Sequence, residues 1–288
     1  MIWENDKGGK FMRLTKLEKQ SPEFDYLTLI IISMLAYVIT TALHEFLGHG
    51  VACALLNGKV IELNAFYLDC EYGMISDCDI RLIAMAGPMV SFLTGLTSFF
   101  LINKIKKSST VAIYFLWLLG TISLLTALGY FIFSGVSGIG DFGFTRDGAL
   151  FRLTPEWLWR ILITVFGIAG YGSVVTYSLH VFNSFLGGKN PNRRIRAKSL
   201  VLISYFSGCI MAILVGLLNP IGLFIIIFSS LASTAGGTSA LLWMMRFLKH
   251  DKTKSKPLIT IKRNYQWIGI GLFMIVIYAV VFGPSLYI

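Results

Sequence analysis

The string His44-Glu45-Phe46-Leu47-Gly48-His49 sets two imidazoles and a carboxylate within six residues of an otherwise apolar run. Neutral imidazoles bind zinc through nitrogen, and a carboxylate beside such a site can serve as general base toward water. The spacing is His-Glu-x-x-x-His, one residue longer than the His-Glu-x-x-His of zincin helices. On a regular helix, residues four apart lie about 40° from one another and share a face, whereas residues five apart lie about 140° from one another. Two histidines at this spacing can hold one ion only if the helix absorbs the extra residue. A π-bulge does so, and such bulges favour functional sites. Gly48 and Gly50 stand where the backbone deforms at least cost. The spacing therefore predicts a bulge or break between Glu45 and His49.

The plain alternative is that these are polar residues packed inside a helix bundle. Its difficulty is energetic: an ionisable residue at mid-membrane costs about 2.5–3.5 kcal/mol on insertion scales, and three stand here together. The expected site therefore has His44 and His49 as ligands of Zn²⁺ and Glu45 as catalytic base. A third protein ligand is needed. His44 lies about 25 Å along the first helix, in the outer half of a core about 30 Å thick. His180 lies about 34 Å down the fourth apolar run, near the opposite face, and reads as an interface histidine. His250 falls in a basic connection on that opposite side. Asp141 fits better, because Ser134-Gly135-Val136-Ser137-Gly138-Ile139-Gly140-Asp141 leaves the third run and its glycines let the chain fold back. Asp147, Asp69 and the acids at 77–79 are its rivals, and a helix cap or a solvated loop acid is the non-ligand reading of Asp141.

The elements that must position these residues are membrane helices. Of the 288 residues 55% are hydrophobic and 14% charged, against about 25% charged in soluble domains. Mean hydropathy is +0.71. A soluble enzyme, a disordered chain and a secreted disulfide scaffold are excluded as readings, and a multi-pass membrane protein remains. Seven apolar runs are expected to span, roughly 27–56, 82–103, 110–136, 157–187, 199–218, 221–247 and 266–284. The sixth is rich in small residues (Ser229, Ser230, Ser233, Ala235, Gly236, Gly237, Ser239), read as close helix packing in preference to a substrate path.

The net charge of +10 is distributed by side. Lys7, Lys10, Arg13, Lys16 and Lys19 precede the first run; Lys104, Lys106 and Lys107 follow the second; Lys189, Arg193, Arg194, Arg196 and Lys198 follow the fourth; Arg246 to Arg263 follow the sixth. Every second connection is basic. The positive-inside rule then gives a cytoplasmic N-terminus, seven spans and an outside C-terminus. Basic tracts such as Asn192-Arg193-Arg194-Ile195-Arg196 read as topology determinants touching anionic lipid, not as nucleic-acid sites. Residues 58–80 partly alternate apolar and polar, which predicts a small extracytoplasmic hairpin after the first helix. Cys53 and Cys209 lie in apolar runs and read as buried and inert, while Cys70 and Cys78 flank a polar loop and could pair on an oxidising side.

His44-Glu45-Phe46-Leu47-Gly48-His49-Gly50 in a first apolar helix resembles the metal-binding helix of the site-2 protease family of intramembrane metalloproteases. Ala86-Gly87-Pro88-Met89-Val90-Ser91 is similar to that family's Ala-Gly-Pro segment, with Ser91 where asparagine is common. The resemblance implies that an Asp after the third span is the third ligand, and Asp141 is the matching position. It covers roughly residues 27–145. The sequence departs from the family in the longer motif, which is similar to the zinc motif of the soluble dipeptidyl peptidase III enzymes. It also lacks the family's Asn-x-x-Pro-x-x-Pro-Asp-Gly context. Its charge pattern puts the site toward the outside, whereas the family works from the cytoplasmic side.

The expectation is an all-α polytopic helix bundle of about seven spans in the cell membrane. Residues 1–24 form a polar cytoplasmic tail, 25–145 a three-helix metalloprotease-like core, and 146–288 four further spans. Its expected activity is zinc-dependent hydrolysis of peptide bonds in or beside the membrane, with lipid and membrane proteins or peptides as partners. A metal-dependent hydrolase of a lipid or small amide, and a non-catalytic metal-binding transporter or chaperone, are the rival readings.

Overall fold

Asp25 starts the first helix by accepting a hydrogen bond from the Thr28 backbone at 2.9 Å. From there the computed structural model, which describes residues 24–73, 75–105, 110–186, 193–219, 230–248 and 259–288, is mainly a bundle of long apolar helices. Helix α1 (Tyr26–Ala42) runs through a π-helical segment (Leu43–Gly50) into α2 (Val51–Leu55). Then follow strands β1 (Lys59–Leu63) and β2 (Leu68–Glu71), and helices α3 (Asp77–Ile102), α4 (Thr110–Ser137), α5 (Glu156–Asn183), α6 (Arg193–Gly216) and α7 (Tyr265–Ile277). Six helical stretches among the described residues are long and apolar enough to cross a bilayer. The polar tail expected before the first helix, and His250, lie outside the described residues.

Helix α4 is the most enclosed of the six and forms the centre of the bundle. Its polar side chains join helices through hydrogen bonds, as small hydroxyls do inside membrane bundles. Thr40 meets Ser123 at 3.0 Å, Ser33 meets Ser204 at 2.8 Å, and the Trp117 indole donates to the Ser178 carbonyl at 2.9 Å. Exposed apolar side chains such as Phe166 on α5 and Phe273 on α7 face outward, as lipid-facing positions would.

The expected hairpin is present: β1 pairs antiparallel with β2. A short strand β3 (Leu286–Tyr287) adds to the other edge of β1, giving the order β2-β1-β3. The C-terminus therefore sits at the hairpin end of the bundle. Asn219, just past α6, is at that end too, donating to the Ser285 hydroxyl at 2.8 Å. The opposite end gathers the chain start and the segment before α7. Asp25 N–H donates to the Ile261 carbonyl at 2.7 Å, and Ile259 N–H to the Phe185 carbonyl at 3.0 Å.

Residues 219 and 259 thus lie at opposite ends of the bundle. The described part of the chain between them, 230–248, is not the plain helix expected over 221–247. It has a π-helical turn at Leu231–Gly236, a break, a helical turn at Ala240–Trp243 and a 3₁₀ turn at Met244–Phe247. Small residues allow the break, and neighbours satisfy the backbone freed by it. The Tyr171 hydroxyl donates to the Gly237 carbonyl at 2.9 Å and accepts from Ala240 N–H at 3.0 Å, while Tyr205 donates to the Ala235 carbonyl at 3.1 Å.

The cysteines pair differently from the sequence expectation. A disulfide joins Cys53 to Cys70, and Cys78 is free and exposed. Cys78 belongs to the first turn of α3, whose start is set by the Ser76–Asp79 capping box. Cys70 lies on the buried face of β2, packed with Cys53 and Ile83. The hairpin's fold-back onto the first helix, which the sequence does not display, decides the partner. Cys209 is buried and free, as expected.

Candidate metal centre

The extra residue of the His-Glu-x-x-x-His string is absorbed where the spacing required it, in π-helical backbone from Leu43 to Gly50. Both imidazoles then turn to one side. Their Nε2 atoms stand 3.2 Å apart. Asp141 Oδ2 lies 3.1 Å from His44 Nε2 and 3.6 Å from His49 Nε2. Four-coordinate zinc with bonds of about 2.0–2.2 Å separates its ligand atoms by roughly 3.4 Å. The triangle found here has that size.

The far nitrogens fix the rings. His49 Nδ1 lies 2.8 Å from the Ile83 carbonyl, which only accepts, so Nδ1 carries a proton and Nε2 is the nitrogen turned toward His44 and Asp141. His44 Nδ1 lies 3.0 Å from Ser91 Oγ. Such partners set tautomer and ring direction in metal sites. Ser91→Ala is expected to weaken zinc affinity by about 10- to 100-fold, measurable by competition with a chromophoric chelator. Wild-type affinity in that variant would show that Ser91 does not orient His44.

Asp141 reaches the pair because the loop after α4 turns back sharply. Gly138 and Gly140 adopt φ of 81° and 86°, the left-handed region that side chains avoid. Phe142 then stacks on Phe131 with centroids 3.9 Å apart, and Ala149 N–H donates to the Asp141 carbonyl at 2.8 Å. The Asp141 side chain is held with little freedom, yet its buried Oδ2 makes no well-formed hydrogen bond to any described residue. Burial works to raise its pKa, but His49 and His44 outweigh burial and keep it below the usual carboxylate range. Without an ion, the positive charge of protonated imidazoles stabilises the Asp141 carboxylate, and a divalent cation among the same three atoms would replace those protons. Two imidazole nitrogens and one carboxylate oxygen are donor types that a divalent ion such as zinc accepts.

The rivals of Asp141 are accounted for elsewhere. Asp79 is used in the α3 cap, and Asp77 pairs with Arg152 at 3.0 Å. Asp69 is exposed on β2, and Asp147 is exposed in the loop after α4. His180 is exposed near the end of α5 away from the hairpin. Among the described residues, His44, His49 and Asp141 form the one group of three or more potential ligands.

Glu45 is 5% exposed and makes no hydrogen bond to any described residue. It opens, with His49 and Asp141, on a cavity of about 1050 Å³. The hairpin roofs this cavity through Phe66, Leu68 and Tyr72. Its wall also includes Ser233, Gly236, Gly237 and Ser239. The small-residue stretch therefore packs closely, with Gly237 against Gly129, and also lines the space reaching the triad. Sequence reasoning set the second role aside.

The roles of four residues around the imidazoles were not anticipated from the sequence. Ser91 and the Ile83 carbonyl hold the rings, and Tyr130 stacks on His44 with centroids 5.0 Å apart and planes 15° from parallel. Gly87 lies directly beneath the imidazoles: a Cβ there would stand 2.3 Å from His49 Nε2 and 2.7 Å from His44 Nε2. The signal for Gly87 was present as Gly-Pro within an apolar helix.

No family model matches the sequence, and no curated protein or solved structure matches it either.

Proposed function

We propose that this chain is an integral membrane zinc hydrolase that cleaves peptide bonds in or beside the bilayer. The observation that carries the reading is the meeting of His44, His49 and Asp141, with all three ligand atoms within 4.8 Å of one another, on a cavity that also holds Glu45. Zinc bound by these residues would act as Lewis acid toward a carbonyl and lower the pKa of water. The residues themselves do the rest. Glu45, which makes no hydrogen bond to any described residue, takes the proton of the attacking water and returns it to the leaving nitrogen. Enclosure by the hairpin and α4 lowers the local dielectric and strengthens each charge at the site. The His-Glu pair, Ala86-Gly87-Pro88 and Asp141 support distant kinship with the site-2 proteases. A lipid or small-amide hydrolase would use the same groups, and the apolar walls of the cavity suit such a substrate too.

Seven crossings, a cytoplasmic N-terminus and an outside C-terminus complete the proposal. It is supported by residues 219 and 259 lying at opposite ends of the bundle, and by Arg194, Arg246 and Arg263 gathering at the end away from the hairpin. A disulfide at the hairpin end fits an oxidising outer side. Cys78, free and exposed at that end, is expected to react with a membrane-impermeant maleimide added to intact cells. Labelling only after permeabilisation would reverse the orientation.

The activity itself is tested by metal removal. Dialysis against 1,10-phenanthroline is expected to abolish hydrolysis of a quenched fluorescent membrane-peptide library, and one equivalent of Zn²⁺ to restore it. Hydrolysis that persists in the metal-free protein would refute the zinc mechanism.

A further inference from the structure

We propose that Tyr130 is a catalytic residue, its hydroxyl donating a hydrogen bond to the oxygen that gains negative charge when water adds to the scissile carbonyl. The inference rests on the hydrolase reading above and adds to it the group that stabilises the transition state.

Three observations carry it. The Tyr130 ring lies face to face with the His44 imidazole, with centroids 5.0 Å apart, so the phenol is held beside the proposed metal position. Tyr130 lines the same cavity as Glu45 and Asp141. That hydroxyl makes no hydrogen bond to any described residue, whereas Tyr37 bonds to Thr238, Tyr114 to Ser204, Tyr171 to Gly237 and Tyr278 to Thr41. A phenol that opens on the cavity without a partner among the described residues is free to donate to a ligand there.

The chemistry of the step requires such a donor. Water oxygen bonds to the carbonyl carbon, the carbonyl π pair moves onto its oxygen, and the water proton passes to Glu45. The oxygen then carries a full negative charge until the C–N bond breaks and nitrogen takes the proton back from Glu45. Glu45 serves the water side and is an acceptor. A neutral phenol in the cavity is a donor, and donors placed where charge develops contribute heavily to the rate.

The test uses the full chain in detergent, loaded with Co²⁺ and read by its visible spectrum. Methylphosphonate, a tetrahedral anion with the shape of the intermediate, is compared with azide, which needs no second donor. Tyr130→Phe keeps the ring that stacks on His44. It is expected to retain one cobalt per chain and wild-type azide affinity, while binding methylphosphonate about 10- to 100-fold more weakly. In wild type, methylphosphonate should also produce a tyrosine ultraviolet difference band, a readout that needs no variant. Equal methylphosphonate affinity in the two proteins, or no tyrosine band in wild type, overturns the role of Tyr130. Absence of cobalt from wild type instead removes the hydrolase reading, and this role with it.

Discussion

Glu45→Gln is expected to leave one zinc per chain and lower turnover by about 10²- to 10⁴-fold. The substitution keeps size and hydrogen-bonding capacity but removes the ability to accept a proton. Glu45 is not among the three atoms that converge on the ligand position, so its replacement should spare the metal. It faces the cavity without a hydrogen bond to any described residue, so the fold does not depend on a hydrogen bond it would lose. Metal stoichiometry and hydrolysis measured on the same preparation check both halves. Undiminished hydrolysis with zinc retained would remove Glu45 from the chemistry. Loss of zinc would show that its role is to hold the ion.

Gly87→Ala is expected to reduce zinc affinity by at least about 100-fold, with the protein still folded. The added methyl would stand 2.3 Å from His49 Nε2, inside the space that both imidazoles use. Either ring could retreat only by giving up its bond to Ser91 or to the Ile83 carbonyl. Movement of the helices is no easier, since Gly48 already meets Gly87 where a Cβ would be 2.5 Å from the Gly87 Cα. Overpacking of this kind costs about 1–3 kcal/mol, which a bundle of this size tolerates better than a metal site does. Zinc titration alongside a thermal melt separates the two effects. Full zinc affinity in Gly87→Ala would mean that the imidazoles do not converge above this glycine.

How much of this was legible in the sequence follows from which interactions are local. The ligand helix was legible because ionisable residues in an apolar run are expensive, and the five-residue spacing has one geometric remedy, which the π-helical backbone from Leu43 to Gly50 supplies. Asp141 was within reach because glycines at 138 and 140 mark a backbone that can reverse on itself. Contacts made between distant segments were hidden. Cys53 looked like a core residue because its partner reaches it only through the tertiary fold of the hairpin, and Cys78 looked like a partner because it is near Cys70 in the chain. Tyr130 has no local signature and Ser91 stood out only through the resemblance of its Ala-Gly-Pro segment, since both roles come from the crossing of α3 and α4 with the π-helical segment. The stretch from Ser229 to Ser239 shows a further limit: small residues permit both tight packing and a helix break, and composition does not say which one the neighbours will support.

The central claim is that two histidines five residues apart and a distant aspartate share one metal ion. Cobalt substitution of the full chain, with visible and X-ray absorption spectra, tests it most directly. The account predicts one four-coordinate cobalt per chain with two nitrogen ligands and a carboxylate oxygen from the protein, and loss of that spectrum in His49→Ala and Asp141→Ala. Wild-type protein that holds neither cobalt nor zinc under non-chelating conditions, or a cobalt spectrum unchanged by Asp141→Ala, would contradict it.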